Sequence, residues 1–291
     1  MNDRCGRIAA WLESLDRRWI FLVLAVVVVT ALLSGVSSPD RATSVVQPIY
    51  DRIENLPDGA PILLSLDYSP SSAPELEPMA EALTQHALLT GHPICYMSLY
   101  PTGNNMISRV EERIIAREFP QAAPARDWVT LGFQVGGEML INSLRDSLTA
   151  RYPTDVAGRP LRDVPALRGV RGLGDFGLIV SLSAGQPGLK EWILYAGDVL
   201  DVPLAGGCTG VGAPQFFPYY PLQILGLMSA LKGAAEYEAA LARGHPEFQA
   251  ANQPATRGMG PQSAAHLVIV AFILLGNAGL LLRCLARRRS P

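Results

Sequence analysis

Two uncharged apolar stretches lie near the ends of this 291-residue chain, and they constrain its fold more than any other feature. They run from Trp19 to Val36 and from Ala264 to Leu282. An apolar run of about 18 residues or more is long enough to cross the hydrocarbon core of a bilayer as a helix. We therefore predict transmembrane helices at 19–36 and 264–282, joined by linkers at 37–60 and 245–263 to a domain at 61–244.

Each apolar stretch has an alternative interpretation. The first could be a cleaved secretory signal, but its apolar centre is longer than the roughly 7–15 residues of such signals, which favours an uncleaved anchor. The second could be a buried core helix. It has no polar face, however, and only Asn277 and His266 are strongly polar within it, so a membrane span is favoured.

Positively charged residues flank the outer ends of both stretches. Short cytoplasmic segments are enriched in Lys and Arg. The outer flanks contain Arg4, Arg7, Arg17, Arg18, Arg283, Arg287, Arg288 and Arg289, whereas the inner flanks contain only Arg41, Arg52 and Arg257. The pattern predicts a cytoplasmic N-terminal segment (1–18), a cytoplasmic basic tail (283–291) and an extracytoplasmic middle domain, with the protein in the cytoplasmic (inner) membrane.

The composition excludes one class of partner. Hydrophobic residues make up 49% of the chain and charged residues 17%, with a net charge of −2. Without an overall positive charge, binding to the phosphates of a nucleic acid is not expected. The expected partners are the lipid bilayer and other membrane subunits or a second copy, because the small residues around Asn277 permit close helix contact.

Short apolar runs alternate with helical patterns in the middle of the chain. Five strand–helix units are predicted: PILLSLDY with APELEPMAEALTQHALLTG, HPICYMSLY with NNMISRVEERIIAREF, DWVTLGFQV with GEMLINSLRDSLTARY, GLIVSLSA with LKEWILYAGDVL, and VPLAGG with LQILGLMSALKGAAEYEAAL. Parallel strands need a crossover, and helices supply it. The sequence therefore predicts a three-layer α/β sandwich with a mostly parallel five-stranded sheet of Rossmann or flavodoxin type.

Glycine-rich segments do not indicate a nucleotide site. Gly172, Gly174 and Gly177 match the spacing GxGxxG, but they precede a predicted strand, whereas the dinucleotide motif follows a strand and opens a helix. Gly172 and Gly174 lie at the end of a Gly-, Pro- and Arg-rich excursion at 154–176, and Gly177 directly follows it. The segment AGGCTGVGAP could form an anion cradle or a tight turn. No cofactor is predicted.

Polar side chains gather where the predicted strands end. Open α/β folds bind ligands at the carboxyl edge of the sheet, in the crevice between neighbouring loops. Helix capping is the alternative role for the same residue types. The ligand-binding candidates are Asp67, Ser69, Thr102, Asn104, Glu138, Ser183, Gln186, Cys208 and Thr209.

Ser183 is also a weak candidate for a catalytic nucleophile. It lies between a strand and a helix, as in the nucleophile elbow of hydrolases, but the first glycine of GxSxG is absent. His86 and His92 are predicted away from this edge. No spacing of Cys and His indicates a metal site. Cys95 and Cys208 could form a disulfide or remain two buried thiols.

Several segments resemble one group of proteins. They are PILLSLDYSPSSAPELEPMAEAL, MSLYPTG, GGEMLI, LSAGQPGLKEW, AGGCTGVGAPQFFPYY and ALKGAAEYE. These segments are similar to an uncharacterised group of prokaryotic membrane-anchored proteins with a Rossmann-like domain and no assigned activity. The resemblance covers about residues 61–238 and implies no functional residues.

A binding or scaffold role is favoured by three features of the sequence. The chain is predicted to be anchored at both ends, polar residues gather at the carboxyl edge of the predicted sheet, and no convincing catalytic set is found. We expect a non-enzymatic extracytoplasmic module that binds a ligand or supports a membrane complex. The alternative is a membrane-tethered hydrolase of the serine hydrolase or peptidase type, acting at the carboxyl edge of the sheet.

Overall fold

The computed structural model describes residues 16–35, 41–246 and 253–288. Arg4, Arg7 and Arg289, which contribute to the predicted orientation, lie outside these ranges. The described residues form two units: a compact domain ending at Thr256, and the terminal helical segments before residue 36 and from Arg257 onward.

Helices and strands alternate through most of the domain. The helices are α1 (Arg17–Ser34), α2 (Gln47–Glu54), α3 (Ala73–Leu89), α4 (Gly103–Val110), α5 (Gly137–Asp146), α6 (Leu189–Trp192), α7 (Ala230–Gly244) and α8 (Pro254–Arg288). The strands are β1 (Ile62–Asp67), β2 (Ile94–Ser98), β3 (Trp128–Phe133), β4 (Leu178–Ser183), β5 (Leu204–Cys208) and β6 (Gly226–Ser229). Helices α4 and α6 each continue into a π-helical turn, Glu111–Ile115 and Ile193–Gly197, and the first of these is followed by one short α-helical turn, Ala116–Glu118.

The domain is an α/β structure with a parallel sheet, as the alternation of strands and helices predicts. The strand order is β3-β2-β1-β4-β5-β6, and every neighbouring pair is parallel. The prediction of five strands is wrong, because the described sheet has six. The order changes direction between β1 and β4, so the chain winds outward from the centre in both halves.

The sixth strand comes from a segment that we predicted as helix. In LQILGLMSALKGAAEYEAAL the apolar residues recur at helical spacing, yet Gly226–Ser229 pairs with β5 and only the part from Ala230 is helical. The amide of Leu225 donates to Leu204 O (2.8 Å), and the amide of Leu227 donates to Val45 O (3.1 Å). Partners distant in sequence therefore satisfy this backbone as a strand, which local periodicity cannot reveal.

Helices cover both faces of the sheet. On one face α3 packs against α4 and α7, and on the other α5 packs against α6. Strands β1, β4 and β5 are buried along their whole length, as expected for parallel strands covered on both sides. The largest fully buried side chain is Trp192, at the end of α6.

The segments flanking the predicted domain also contain structure. Helix α2 lies inside the predicted linker at 37–60, and its Ile49 and Ile53 are fully buried. Helix α8 begins at Pro254, inside the predicted linker at 245–263, whose residues 247–252 lie outside the described ranges. The compact domain is therefore wider than 61–244.

Helices α1 and α8 are long and apolar enough to cross a membrane. The apolar parts are Arg17–Ser34, in which no residue is buried, and Pro254–Leu281, near whose start Ala255 and Thr256 are buried. They overlap the two stretches that the sequence predicts as spans, although α8 begins at Pro254, ahead of the predicted start at 264. Asp16 caps α1 by accepting a hydrogen bond from the amide of Arg18 (3.0 Å).

Cys95 and Cys208 are separate, buried thiols. They lie on β2 and β5, which are separated in the sheet by β1 and β4. Neighbouring strands are about 4.8 Å apart, so two strands three positions apart are roughly 14 Å from each other. That separation is too large for a disulfide, whose Cα atoms lie less than about 7 Å apart.

Candidate functional site

Asp67 ends β1 at the centre of the sheet, and its carboxylate is completely buried. It accepts hydrogen bonds from Ser65 Oγ (2.8 Å), Leu99 N (2.7 Å), Ser181 Oγ (3.2 Å) and Trp192 Nε1 (3.2 Å). Burial raises the pKa of Asp67 to about 6, although these hydrogen bonds oppose the shift. Because no part of it reaches solvent, Asp67 joins β1, β2, β4 and α6 and does not line an open site.

Four further candidates make local contacts at the same edge. Ser69 Oγ lies 2.8 Å from Ser71 Oγ, and Thr102 Oγ1 donates to Tyr68 O (3.1 Å). Asn104 Oδ1 accepts from the amide of Phe133 (2.7 Å), and Glu138 accepts from the hydroxyl of Tyr195. These contacts tie loops and helix starts to neighbouring parts of the domain, but none of them is a helix N-cap, since the N-cap residue Thr102 makes no capping bond with its side chain.

The other four candidates come together around one cavity, which we call the edge cavity. It has a volume of about 240 Å³ and opens where β4 and β5 end. Its walls include Ser183, Gln186, Cys208 and Thr209, and also Lys190, Gln215 and Phe216, which sequence reasoning did not select. The parallel register of β4 and β5 explains why these residues lie together, because Ser183 and Cys208 are paired and each is the last residue of its strand.

Two of the missed wall residues had a visible signal in the sequence. Lys190 is one of only two lysines in the chain, the other being Lys232. Phe216 belongs to the ring-rich run QFFPYY at 215–220 and is 4% exposed, so it forms an apolar wall between the cavity and the core.

The polar groups of the edge cavity differ in accessibility. Ser183 is 2% exposed, and its Oγ accepts a hydrogen bond from the amide of Leu189 (3.0 Å) at the start of α6. Burial, with a smaller contribution from the charge of Glu75, raises the pKa of Cys208 to about 12, so its thiol stays protonated at neutral pH. Among the described wall residues, Lys190 alone carries a formal charge.

A larger cavity, of about 570 Å³, lies between the end of α5 and the excursion at 154–176. It contains none of the predicted site residues, and its charged residues are mixed in sign: Asp146, Asp163, Arg162, Arg168 and Arg171. We place the candidate site at the edge cavity, because ligands of open α/β folds bind at the carboxyl ends of the strands. The cavity lies between β4 and β5, next to the change of winding direction between β1 and β4.

The edge cavity is not assembled like a hydrolase site. In the triad arrangement a serine nucleophile has a histidine within hydrogen-bond distance. His86 lies in the last turn of α3 and His245 directly after α7, and both contact Glu54 near the amino edge of the sheet, opposite to Ser183. In comparisons with protein families, curated proteins and solved structures, none matches this chain.

Proposed function

We propose that this chain is a membrane-anchored, extracytoplasmic module of Rossmann type that binds a small ligand and does not catalyse a reaction. The observation that carries the proposal is the polar edge cavity between the carboxyl ends of β4 and β5. Its volume is below the roughly 300–1,000 Å³ of typical ligand pockets, which suits a ligand of few atoms.

The wall chemistry supports a ligand with one negative group. Lys190 supplies a positive charge, while Gln186, Thr209 and Gln215 supply neutral hydrogen-bonding groups. A carboxylate-bearing small molecule satisfies this set, with its anionic group at Lys190 and its polar groups at the amides and the hydroxyl. The hydrolase alternative is not favoured, because the described wall residues of the edge cavity include no histidine that could accept the proton of Ser183 Oγ.

Membrane anchoring at both ends is supported by α1 and α8, together with the arginines on their outer flanks. The chain segments leading to these helices are both held by α7. Glu236 accepts from the amide and hydroxyl of Thr43 (3.0 and 2.7 Å), and Glu238 accepts from the amides of Ala255 and Thr256 (2.9 and 2.7 Å).

A ligand at the edge cavity is expected to protect Lys190 from amine-reactive reagents. In the purified full-length protein, a carboxylate that raises the melting temperature should slow acylation of Lys190, read by mass spectrometry, by about tenfold. Lys232, which lies 3.6 Å from Glu236 on α7, is the matched internal control and should react at an unchanged rate.

Two outcomes would contradict the binding proposal. One is equal protection of both lysines. The other is full retention of the melting-temperature shift in Lys190→Ala and in Thr209→Trp, which fills the cavity. Lys190 is exposed and Thr209 is half-buried at the mouth of the cavity, so we expect the folded state to tolerate both substitutions.

The topology is tested with a membrane-impermeant maleimide. Val211 is 95% exposed in the loop after β5, whereas Cys284 lies on α8 at the predicted cytoplasmic side. In intact cells, Val211→Cys should be labelled and Cys284 should not, and lysis should expose both. Labelling of Cys284 but not of position 211 in intact cells would show the opposite orientation.

A further inference from the structure

Two imidazoles and a carboxylate meet near the amino edge of the sheet, far from the edge cavity. Glu54 is the last residue of α2, His86 lies in the last turn of α3, and His245 directly follows α7. Glu54 Oε1 is 2.8 Å from His86 Nε2 and 2.7 Å from His245 Nε2. One donor atom from each residue lies within 4.8 Å of the other two.

The donor types are those of transition-metal sites. Zn²⁺ binds imidazole nitrogen and carboxylate oxygen, and sites with two histidines and one glutamate leave a coordination position for water. The side chain of His86 is completely buried, while those of Glu54 and His245 are 32% and 16% exposed. The group is therefore anchored on its inner side and open to solvent on its outer side, which gives an ion a path of entry.

Aromatic residues hold His86 in place. Tyr237 is fully buried, and its hydroxyl lies 2.6 Å from His86 Nδ1, so the hydroxyl oxygen can accept the Nδ1 proton when Nε2 binds a metal. Tyr50 stacks on the same ring, with centroids 4.7 Å apart and an angle of 18° between the planes. An oxygen partner on the second ring nitrogen is the usual means of orienting a metal-binding histidine.

We propose that Glu54, His86 and His245 bind one divalent transition-metal ion, with Zn²⁺ the best match. Tetrahedral zinc ligands at about 2.1 Å from the ion lie about 3.4 Å from one another, so the Glu54 oxygen has to move roughly 0.6 Å away from each imidazole nitrogen. The two nitrogens, which lie within 4.8 Å of each other, have to adopt the same separation. The partly exposed position of Glu54 at the end of α2 permits its movement. The sequence contains no metal motif because Glu54 is 32 residues from His86 and 191 from His245.

The test uses Co²⁺ as a spectroscopic probe in full-length, detergent-solubilised protein without a polyhistidine tag. After treatment with a chelator, the protein should bind one Co²⁺ per chain with visible d–d bands of a low-coordinate site, and one Zn²⁺ should displace it. His245→Ala should weaken binding by at least about 100-fold. Tyr237→Phe should weaken it by about 10- to 100-fold.

Two further variants separate a metal site from a hydrogen-bonded cluster. His266→Ala removes a histidine of α8 outside the cluster and should bind as tightly as wild type. His245→Cys should keep stoichiometric binding and add a thiolate-to-Co²⁺ charge-transfer band, which a purely structural role of residue 245 would not produce. Absence of stoichiometric binding by the wild type, or equal affinity in His245→Ala, overturns the proposal.

Discussion

Replacing Asp67 by alanine is expected to lower the free energy of unfolding by about 3–5 kcal/mol at pH 5. The substitution removes the one acceptor shared by four donors inside a fully buried pocket. The hydroxyls of Ser65 and Ser181 can rotate, but the amide of Leu99 and the indole of Trp192 cannot turn elsewhere. Urea denaturation of the full-length protein, followed by circular dichroism, measures the loss.

The same variant should reveal the pKa of Asp67. The folded state holds this proton up to about pH 6, whereas the unfolded state releases it near 3.8. Stability contributed by the residue is therefore present at low pH and falls as the pH rises from about 4 to about 6. The difference in free energy of unfolding between wild type and Asp67→Ala should therefore shrink by roughly 3 kcal/mol over that pH range.

The design has two controls. Glu238, whose pKa burial raises to about 7, titrates in both proteins and cancels in the difference. Asp163→Ala, at a carboxylate whose side chain is 65% exposed, should change stability by less than about 0.5 kcal/mol at every pH. If the difference in free energy of unfolding between wild type and Asp67→Ala stays constant or widens as the pH rises, the raised pKa of Asp67 is contradicted.

Gly172→Ala should destabilise the domain by about 3 kcal/mol, because a methyl group there meets rigid backbone. A Cβ at position 172 would lie 2.1 Å from Arg145 O and 3.1 Å from Leu144 O, at the end of α5. Neither carbonyl can move without unwinding the last turn of that helix. The change is measured as a shift in the denaturation midpoint.

Gly174→Ala is the matched control, two residues away in the same GxGxxG match. The nearest atom to its Cβ would be Leu200 Cδ2 at 4.0 Å, so its effect should stay within about 0.5 kcal/mol. If the two variants lose equal stability, close packing is not what requires glycine at 172. A large loss of stability in Gly172→Ala and a small one in Gly174→Ala would show that glycine is required at 172 because the excursion packs closely on α5.

Sequence reasoning located part of the candidate site. The alternation of strands and helices placed Ser183, Gln186, Cys208 and Thr209 at strand ends, and the structure brings these four to one cavity. It also selected Asp67 and Glu138, whose polar atoms bind other parts of the domain. A strand end can be recognised from pattern, but whether its side chain points to solvent depends on what packs above it.

The sequence by itself determined the two long apolar helices and the first five strands, because each is specified by the local order of apolar and polar residues. Tertiary structure alone decided the sixth strand, since Val45 and β5 supply its hydrogen bonds. It alone brought Glu54 to His86 and His245. These features depend on residues that are far apart in the chain and become neighbours only after the sheet winds and the helices pack, so no local pattern contains them.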